Sequence, residues 1–269
     1  MAPGAAPRVL VVEDAGAVAD AAAGVFVEAV RRDGGAQRPS FVALSGGSTP
    51  ARLYGLLASP AFDQAVAWRS VHLFWGDERC VPPADPASNY GLVARSGLVR
   101  RTLGGVHRMK GELPPEEGAN DYEAELRRVL AGGAPDRPVA GSAAEPPPDG
   151  RAVRLETTEP DRMPGLDLVL LGLGEDAHTA SLFPGSFVLE ERRRWVSATE
   201  PRAGYRRLTL TLPVLWAARH VLFLVTGAGK AEAVVALLGR GSSAPAALVV
   251  QGATEATVLL DRAAAALLP

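Results

Sequence analysis

Short apolar runs alternate with stretches whose apolar residues recur every three or four positions, and this alternation organises most of the chain. Residues 9–12, 41–44, 71–75, 166–171, 195–198, 208–212, 221–225 and 257–260 read as strands. Residues 14–32, 51–57, 88–98, 116–130, 228–238 and 262–268 carry helical periodicity, with Ser88 or Asn89 near the cap of the third. The run at 166–171 is almost continuously apolar, as a strand buried on both faces must be. Strands alternating with amphipathic helices predict βαβ units and a mostly parallel sheet covered on both faces. Residues 131–162 break the pattern. They are rich in Pro, Gly and Ala and poor in large apolar side chains, so they predict a flexible surface insertion within a single domain.

In a parallel sheet, ligands bind beyond the carboxyl ends of the strands. Four of the expected strands end in polar or glycine-rich segments: SGGSTP (45–50), GDER (76–79), GLGEDAHTASLFPG (172–185) and TGAGK (226–230). If the strands are parallel, these four loops meet along one edge. SGGSTP offers backbone N–H groups unshielded at Gly46 and Gly47 and hydroxyls at Ser45, Ser48 and Thr49. Pro50 then sits in the first turn of a helix, and a helix start with free N–H groups attracts anions. The bland alternative is an ordinary strand-to-helix turn. The spacing of a Walker A loop is absent, which argues against nucleoside triphosphate hydrolysis.

Composition narrows the classes. With 47% apolar and 22% charged residues the chain can build a sizeable core. A net charge of −2 leaves no basic field to attract nucleic acid. The single cysteine, Cys80, excludes an internal disulfide framework. No run is apolar and long enough to span a bilayer, and the first residues lack a basic-then-apolar signal layout, so the cytoplasm is the expected location. Of 28 basic residues only Lys110 and Lys230 are lysine. A lysine kept against that arginine bias, inside the glycine turn 226–230, fits a phosphate contact as well as it fits a solvated turn. Arg206 and Arg207, just before residues 208–212, offer further cations.

Asp77 and Glu78 are paired acids that suit acid/base or sugar-hydroxyl roles, or simply a solvated turn. Residues 172–185 are the most informative. Gly172, Gly174 and Ala177 fit the G-x-G-x-x-A dinucleotide pattern, yet Glu175 and Asp176 would face a pyrophosphate, and Pro184 and Gly185 cut short the helix that pattern needs. The same stretch places Asp176 two residues from His178. A histidine titrates near neutrality and can take a proton from water, with the acid orienting it. No His/Cys/carboxylate cluster has metal spacing and no G-x-S-x-G elbow occurs, so activated water is favoured over a metal or a serine acyl-enzyme.

With these loops in hand, the chain resembles the 6-phosphogluconolactonase family and, more distantly, the glucosamine-6-phosphate isomerase/deaminase family of the same superfamily. The resemblance covers nearly the whole chain through SGGSTP, WGDERCVPPADPASNYGL (75–92), LGLGEDAHTASLFPG (171–185), RLTLTLP (207–213) and VTGAGKA (225–231). It implies a Rossmann-like α/β/α sandwich. It also implies hydrolysis of 6-phospho-D-glucono-1,5-lactone to 6-phosphogluconate in the oxidative pentose phosphate pathway, with no metal or organic cofactor. On this resemblance His178 activates water. Ser45, Gly46, Gly47, Ser48, Thr49, Lys230 and Arg207 hold the 6-phosphate. Arg79 or the N–H groups around Gly172–Gly174 receive the oxyanion, and Asp77 and Asp176 bind hydroxyls or orient the base. Two departures stand out: Ala177 where the family usually has Gly, and the long insertion at 131–162. The deaminases carry an extra acid just past the histidine, where this chain reads Ser181-Leu182-Phe183-Pro184. A non-catalytic sugar-phosphate sensor of this fold would be expected to add a basic DNA-binding segment, and none is visible.

Overall fold

The computed structural model describes residues 6–31, 38–131 and 165–269. Of the insertion expected at 131–162, all but Ala131 lies outside them. Along the chain run β1 (Arg8–Val12), α1 (Ala15–Arg31), β2 (Ser40–Leu44), α2 (Ser48–Leu57), β3 (Val71–Trp75), β4 (Asp77–Arg79), α3 (Asn89–Ser96), β5 (Gly105–Val106) and α4 (Pro115–Ala131). After them come β6 (Leu168–Leu171), β7 (Val196–Ala198), β8 (Arg207–Leu210), α5 (Leu212–Ala217), β9 (Val221–Val225), α6 (Ala231–Leu238), α7 (Pro245–Gly252) and β10 (Ala256–Asp261).

Seven strands form one sheet in the order β1-β10-β9-β6-β2-β3-β5, and every pairing in it is parallel. Strands β2, β6, β9 and β10 are buried at every position, which explains why apolar residues dominate them. A second, three-stranded antiparallel sheet, β4-β8-β7, packs beside α4. Helix α4 buries Ala119, Tyr122, Leu126 and Leu130 at helical spacing. One contiguous apolar core joins residues of both sheets. No helix among the described residues is long and apolar enough to cross a membrane.

The α/β reading with a mostly parallel sheet holds, and the differences are local. Residues 77–79 form β4, not a loop. The strand expected at 208–212 stops at Leu210, because Pro213 cannot donate to a ladder and instead opens α5. Helix α2 begins at Ser48, three residues early, and residues 228–230 make a 3₁₀ turn before α6. The helix expected at 262–268 is a series of turns; only Ala264 there is buried, so nothing repays nucleation. Helix α7 and the two-residue strand β5 were not anticipated.

At the β3–β5 edge, His72 Nδ1 lies 3.0 Å from His107 Nε2, and His107 Nδ1 lies 2.6 Å from Glu125 Oε1. Gly105 makes room for this contact, since a Cβ there would sit 2.5 Å from His107 Nε2. Burial, helped by neighbouring His107, pushes the His72 imidazole below its ordinary value of 6.5. The unfolded chain therefore binds this proton more readily than the folded one, and stability declines as pH falls below about 6.5. Thermal melts between pH 7.5 and 5 are expected to show a smaller acid-induced drop for His72→Gln than for the wild type. Equal drops would show that the buried neutral imidazole contributes nothing.

Candidate active site

The chain enters the sheet's middle twice and leaves in opposite directions. From β2 it proceeds through β3 to β5; from β6 it proceeds through β9 to β10. The loops after β2 and β6 therefore part, and a crevice opens between them at the carboxyl ends of the strands. A cavity of about 240 Å³ lies there, lined by all four loops singled out in the sequence: residues 45–50, Asp77 and Arg79, residues 172–174 with 178–180, and Thr226 with Lys230.

The β2 loop leaves the sheet through Ser45, whose N–H donates to the Tyr54 hydroxyl (2.9 Å) while that hydroxyl donates to the Ser45 carbonyl (2.7 Å). The Ser45 hydroxyl is buried without a partner among the described residues. Gly46 cannot carry a side chain, because a Cβ would lie 1.9 Å from Asn89 Oδ1. Gly47, at φ 105°, occupies a backbone region that glycine alone adopts at little cost. It places the start of α2 so that the Ser48 and Thr49 N–H groups have no intrahelical acceptor. The Thr49 and Thr226 hydroxyls meet at 2.8 Å and tie this loop to the one after β9. In that second loop the Gly227 N–H is held by both carboxylate oxygens of buried Asp261, each at 3.0 Å. The Lys230 ammonium, on the cavity wall, has no ion pair or hydrogen bond among the described residues, while its backbone N–H donates to the Gly227 carbonyl (3.1 Å).

Between β6 and residue 186 the chain forms no helix; turns fill the stretch where the glycine pattern needs one, and a short 3₁₀ helix follows only at Phe187–Glu190. Ala177 and Ala180 sit at φ 58° and 48°, a conformation no helix accommodates. The Gly174 N–H donates to the His178 carbonyl (2.9 Å) and the Ala177 N–H to the Gly174 carbonyl (3.0 Å), closing a tight turn. That turn folds His178 back onto Gly174, where a Cβ would fall 2.0 Å from His178 Nδ1. Asp176 Oδ1 pairs with His178 Nδ1, and Asp176 Oδ2 lies 3.3 Å from Arg202 Nη2. Partial burial alone would push the Asp176 carboxyl up. The His178 hydrogen bond and the nearby charges of His178 and Arg202 outweigh it and hold the group below its usual range. With Nδ1 facing a carboxylate, Nε2 is the nitrogen left to accept a proton. The Phe183 ring flanks the imidazole, 4.5 Å between centroids.

Asp77 is buried and already engaged, accepting from Asn89 Nδ2 (3.0 Å) and from the Ser181 hydroxyl (2.7 Å). Arg79 Nη1 donates to the Ala87 carbonyl (2.8 Å) and to Asn89 Oδ1 (2.7 Å), which leaves Nε and Nη2 without partners among the described residues. Glu78, almost wholly buried, accepts from the N–H groups of Arg79, Asn89 and Tyr90 and from the Ser88 hydroxyl, fixing the start of α3. Burial raises its pKa, and the three backbone N–H groups oppose that rise.

Of the site residues singled out in the sequence, Asp176 and Arg207 are not on the cavity wall: Asp176 stands behind His178 and reaches the cavity only through it. The Arg207 guanidinium is buried behind Phe183, 5.2 Å from the ring, and Nη1 donates to the Arg202 and Tyr205 carbonyls. Sequence reasoning missed Asn89 as the link between Asp77 and Arg79, and Arg202 as the partner of Asp176. The NY pair after the Ser88 cap held the only local signal for the first; Arg202 lies 26 residues from Asp176 and carried none.

Comparison with known proteins bears on this geometry. A family described as glucosamine-6-phosphate isomerases/6-phosphogluconolactonase matches residues 13–259. A 6-phosphogluconolactonase of Aggregatibacter actinomycetemcomitans is 32% identical over 196 residues, which are 72% of this chain and 71% of the relative. Another, from a Nostoc species, is 36% identical over 230 residues, 84% of this chain and 83% of the relative. The solved 6-phosphogluconolactonase of Trypanosoma brucei superposes with a TM-score of 0.80 at 29% identity, covering 98% of this chain and 99% of that one.

The contact between Gly174 and the His178–Asp176 pair gives a direct test. Gly174→Ala is expected to fold yet lose about 100-fold or more in kcat, the range for displacing a general base, because the imidazole must move off its position. Near-normal kcat with an unshifted melting temperature would show that the turn yields and the contact is not needed.

Proposed function

Because the chain belongs to the glucosamine-6-phosphate isomerase/6-phosphogluconolactonase family, we infer that it hydrolyses 6-phospho-D-glucono-1,5-lactone to 6-phospho-D-gluconate, a step of the oxidative pentose phosphate pathway. One observation carries the reading of the site: an imidazole oriented by a carboxylate and an anion cradle with an unpaired lysine line the same small cavity.

The 6-phosphate sits at the N–H groups of Gly46, Gly47, Ser48 and Thr49, with Lys230 supplying the neutralising charge. Anchoring this remote group holds the ring where attack can occur. Asp176 accepts a hydrogen bond from the Nδ1–H of His178, so Nε2 takes a proton from water as the water oxygen bonds to the lactone carbonyl carbon, and the carboxylate stabilises the resulting imidazolium. The negative charge that develops on the carbonyl oxygen needs a donor already in place. The Gly174 N–H is spent on the His178 carbonyl, which leaves the free Nε and Nη2 of Arg79 as the better-supported donor. When the ring C–O bond breaks, His178 returns its proton to the departing ring oxygen. Asp77 keeps Asn89 and Ser181 in place and retains lone pairs for a sugar hydroxyl. Arg207 supports the wall behind Phe183 and is not assigned to the phosphate. The substrate is the only partner this scheme requires, and the cytoplasm, which keeps the free thiol of Cys80 reduced, is the proposed location.

An assay with freshly prepared 6-phosphogluconolactone beside glucosamine 6-phosphate, corrected for spontaneous lactone opening, tests the activity. Turnover is expected on the lactone and none on the amino sugar; the reverse would overturn the reading. His178→Ala is expected to lower kcat roughly 10²–10⁴-fold, and a folded variant with normal turnover would exclude it as the base. Lys230→Ala should raise KM for the phosphorylated lactone while leaving unphosphorylated gluconolactone nearly unaffected. Equal losses on both substrates would remove Lys230 from the phosphate.

A further inference from the structure

We propose that Arg202 is a positioning residue for this reaction, acting through Asp176 to keep His178 free of its proton at working pH. The proposal rests on His178 being the base. Arg202 lies far along the sequence, in the hairpin between β7 and β8, and three separate contacts bring it to the site. Its Nη2 reaches Asp176 Oδ2 at 3.3 Å. Its guanidinium lies 4.7 Å from the centre of the Phe183 ring, whose centroid is in turn 4.5 Å from that of His178. Its own carbonyl is gripped by Arg207 Nη1 at 2.7 Å.

The hairpin is built to present this side chain. Arg202 and Tyr205 exchange backbone hydrogen bonds across a two-residue turn. The central residues, Ala203 and Gly204, stand at φ 50° and 82°, the signs of a type I′ turn. Buried Arg207 holds both ends of this turn, Nη1 donating to the Arg202 carbonyl (2.7 Å) and the Tyr205 carbonyl (3.4 Å).

The electrostatic consequence has a definite sign. The Asp176 carboxylate faces two groups, one through each oxygen. While Arg202 occupies Oδ2, part of the carboxylate's field is already compensated, and a proton arriving on His178 would place a second cation against the same anion. Removing Arg202 leaves the carboxylate to His178 alone, which favours the protonated imidazole. The other charges lining the cavity are Asp77, Arg79 and Lys230, with Arg207 behind Phe183. Asp77 is bonded to Asn89 and Ser181, and none of the four is hydrogen-bonded to the Asp176–His178 pair. Arg202 is therefore the cation that bears directly on it.

The experiment compares kcat/KM from pH 5 to 8.5 for the wild type, Arg202→Gln and Arg202→Lys. The wild type should show one rising limb. Arg202→Gln should move that limb to higher pH by roughly 0.2–0.7 unit, a modest figure because the pair is partly exposed, and Arg202→Lys should reverse most of that shift. The variants keep the hairpin, since its hydrogen bonds are made by the backbone. A limb that stays in place while the plateau falls would reduce Arg202 to a wall residue and overturn this proposal alone. A flat wild-type profile would instead overturn the assignment of His178 as base, and this proposal with it.

Discussion

The site depends on a reversal in the middle of the sheet. Strands β2 and β6 are neighbours, but the chain leaves them in opposite directions, so their following loops cannot pack on each other. Every parallel pairing brings the carboxyl ends to one edge, and the two loops open a gap there that later segments fill with chemistry. The loop proposed to hold the phosphate stands on the β2 side and the imidazole on the β6 side. Neither needs an unusual element of its own; their separation is set by the spacing of the strands beneath them.

Close backbone approach then decides which residues can occupy the walls. Gly46 and Gly174 are spaces rather than hinges: the first admits the amide of Asn89, the second the His178 ring. Around them polar side chains are almost all satisfied by other named groups. Asn89 ties Asp77 to Arg79, Glu78 gathers the start of α3, and Asp261 grips Gly227. Such networks are costly when half made and rigid when complete. Among the described residues they leave a small set of groups on the cavity wall uncommitted: the Ser45 hydroxyl, the Lys230 ammonium, Nε and Nη2 of Arg79, and Nε2 of His178.

Much of this was legible in the sequence because it is local. Strand ends followed by SGGSTP, GDER, GLGEDAH and TGAGK announce polar segments on one edge, and all four contribute to the cavity wall, GDER from strand β4 and not from a loop. Ala177 stands where the family usually has glycine, and at φ 58° it occupies the left-handed region that glycine tolerates; Ala180, at φ 48° in the same stretch, carried no such signal. What was not legible is long-range. Arg207 reads as a spare cation, but the β4–β8 pairing and the Phe183 ring turn it inward. Arg202 and Asn89 gain their meaning only from partners that the fold brings to them. The helix expected at 262–268 failed for the complementary reason, since periodicity without a buried face does not make a helix.

The hydroxyl contact between Thr49 and Thr226 joins residues 177 positions apart. Its presence means that the cradle exists only once the early and late halves of the chain have docked across β6. Contacts of such long separation close slowly and late in folding. A partly folded chain, even one with every helix formed, would have neither a complete anion cradle nor a base facing it. A ligand that bound the docked form alone would, by mass action, favour that form.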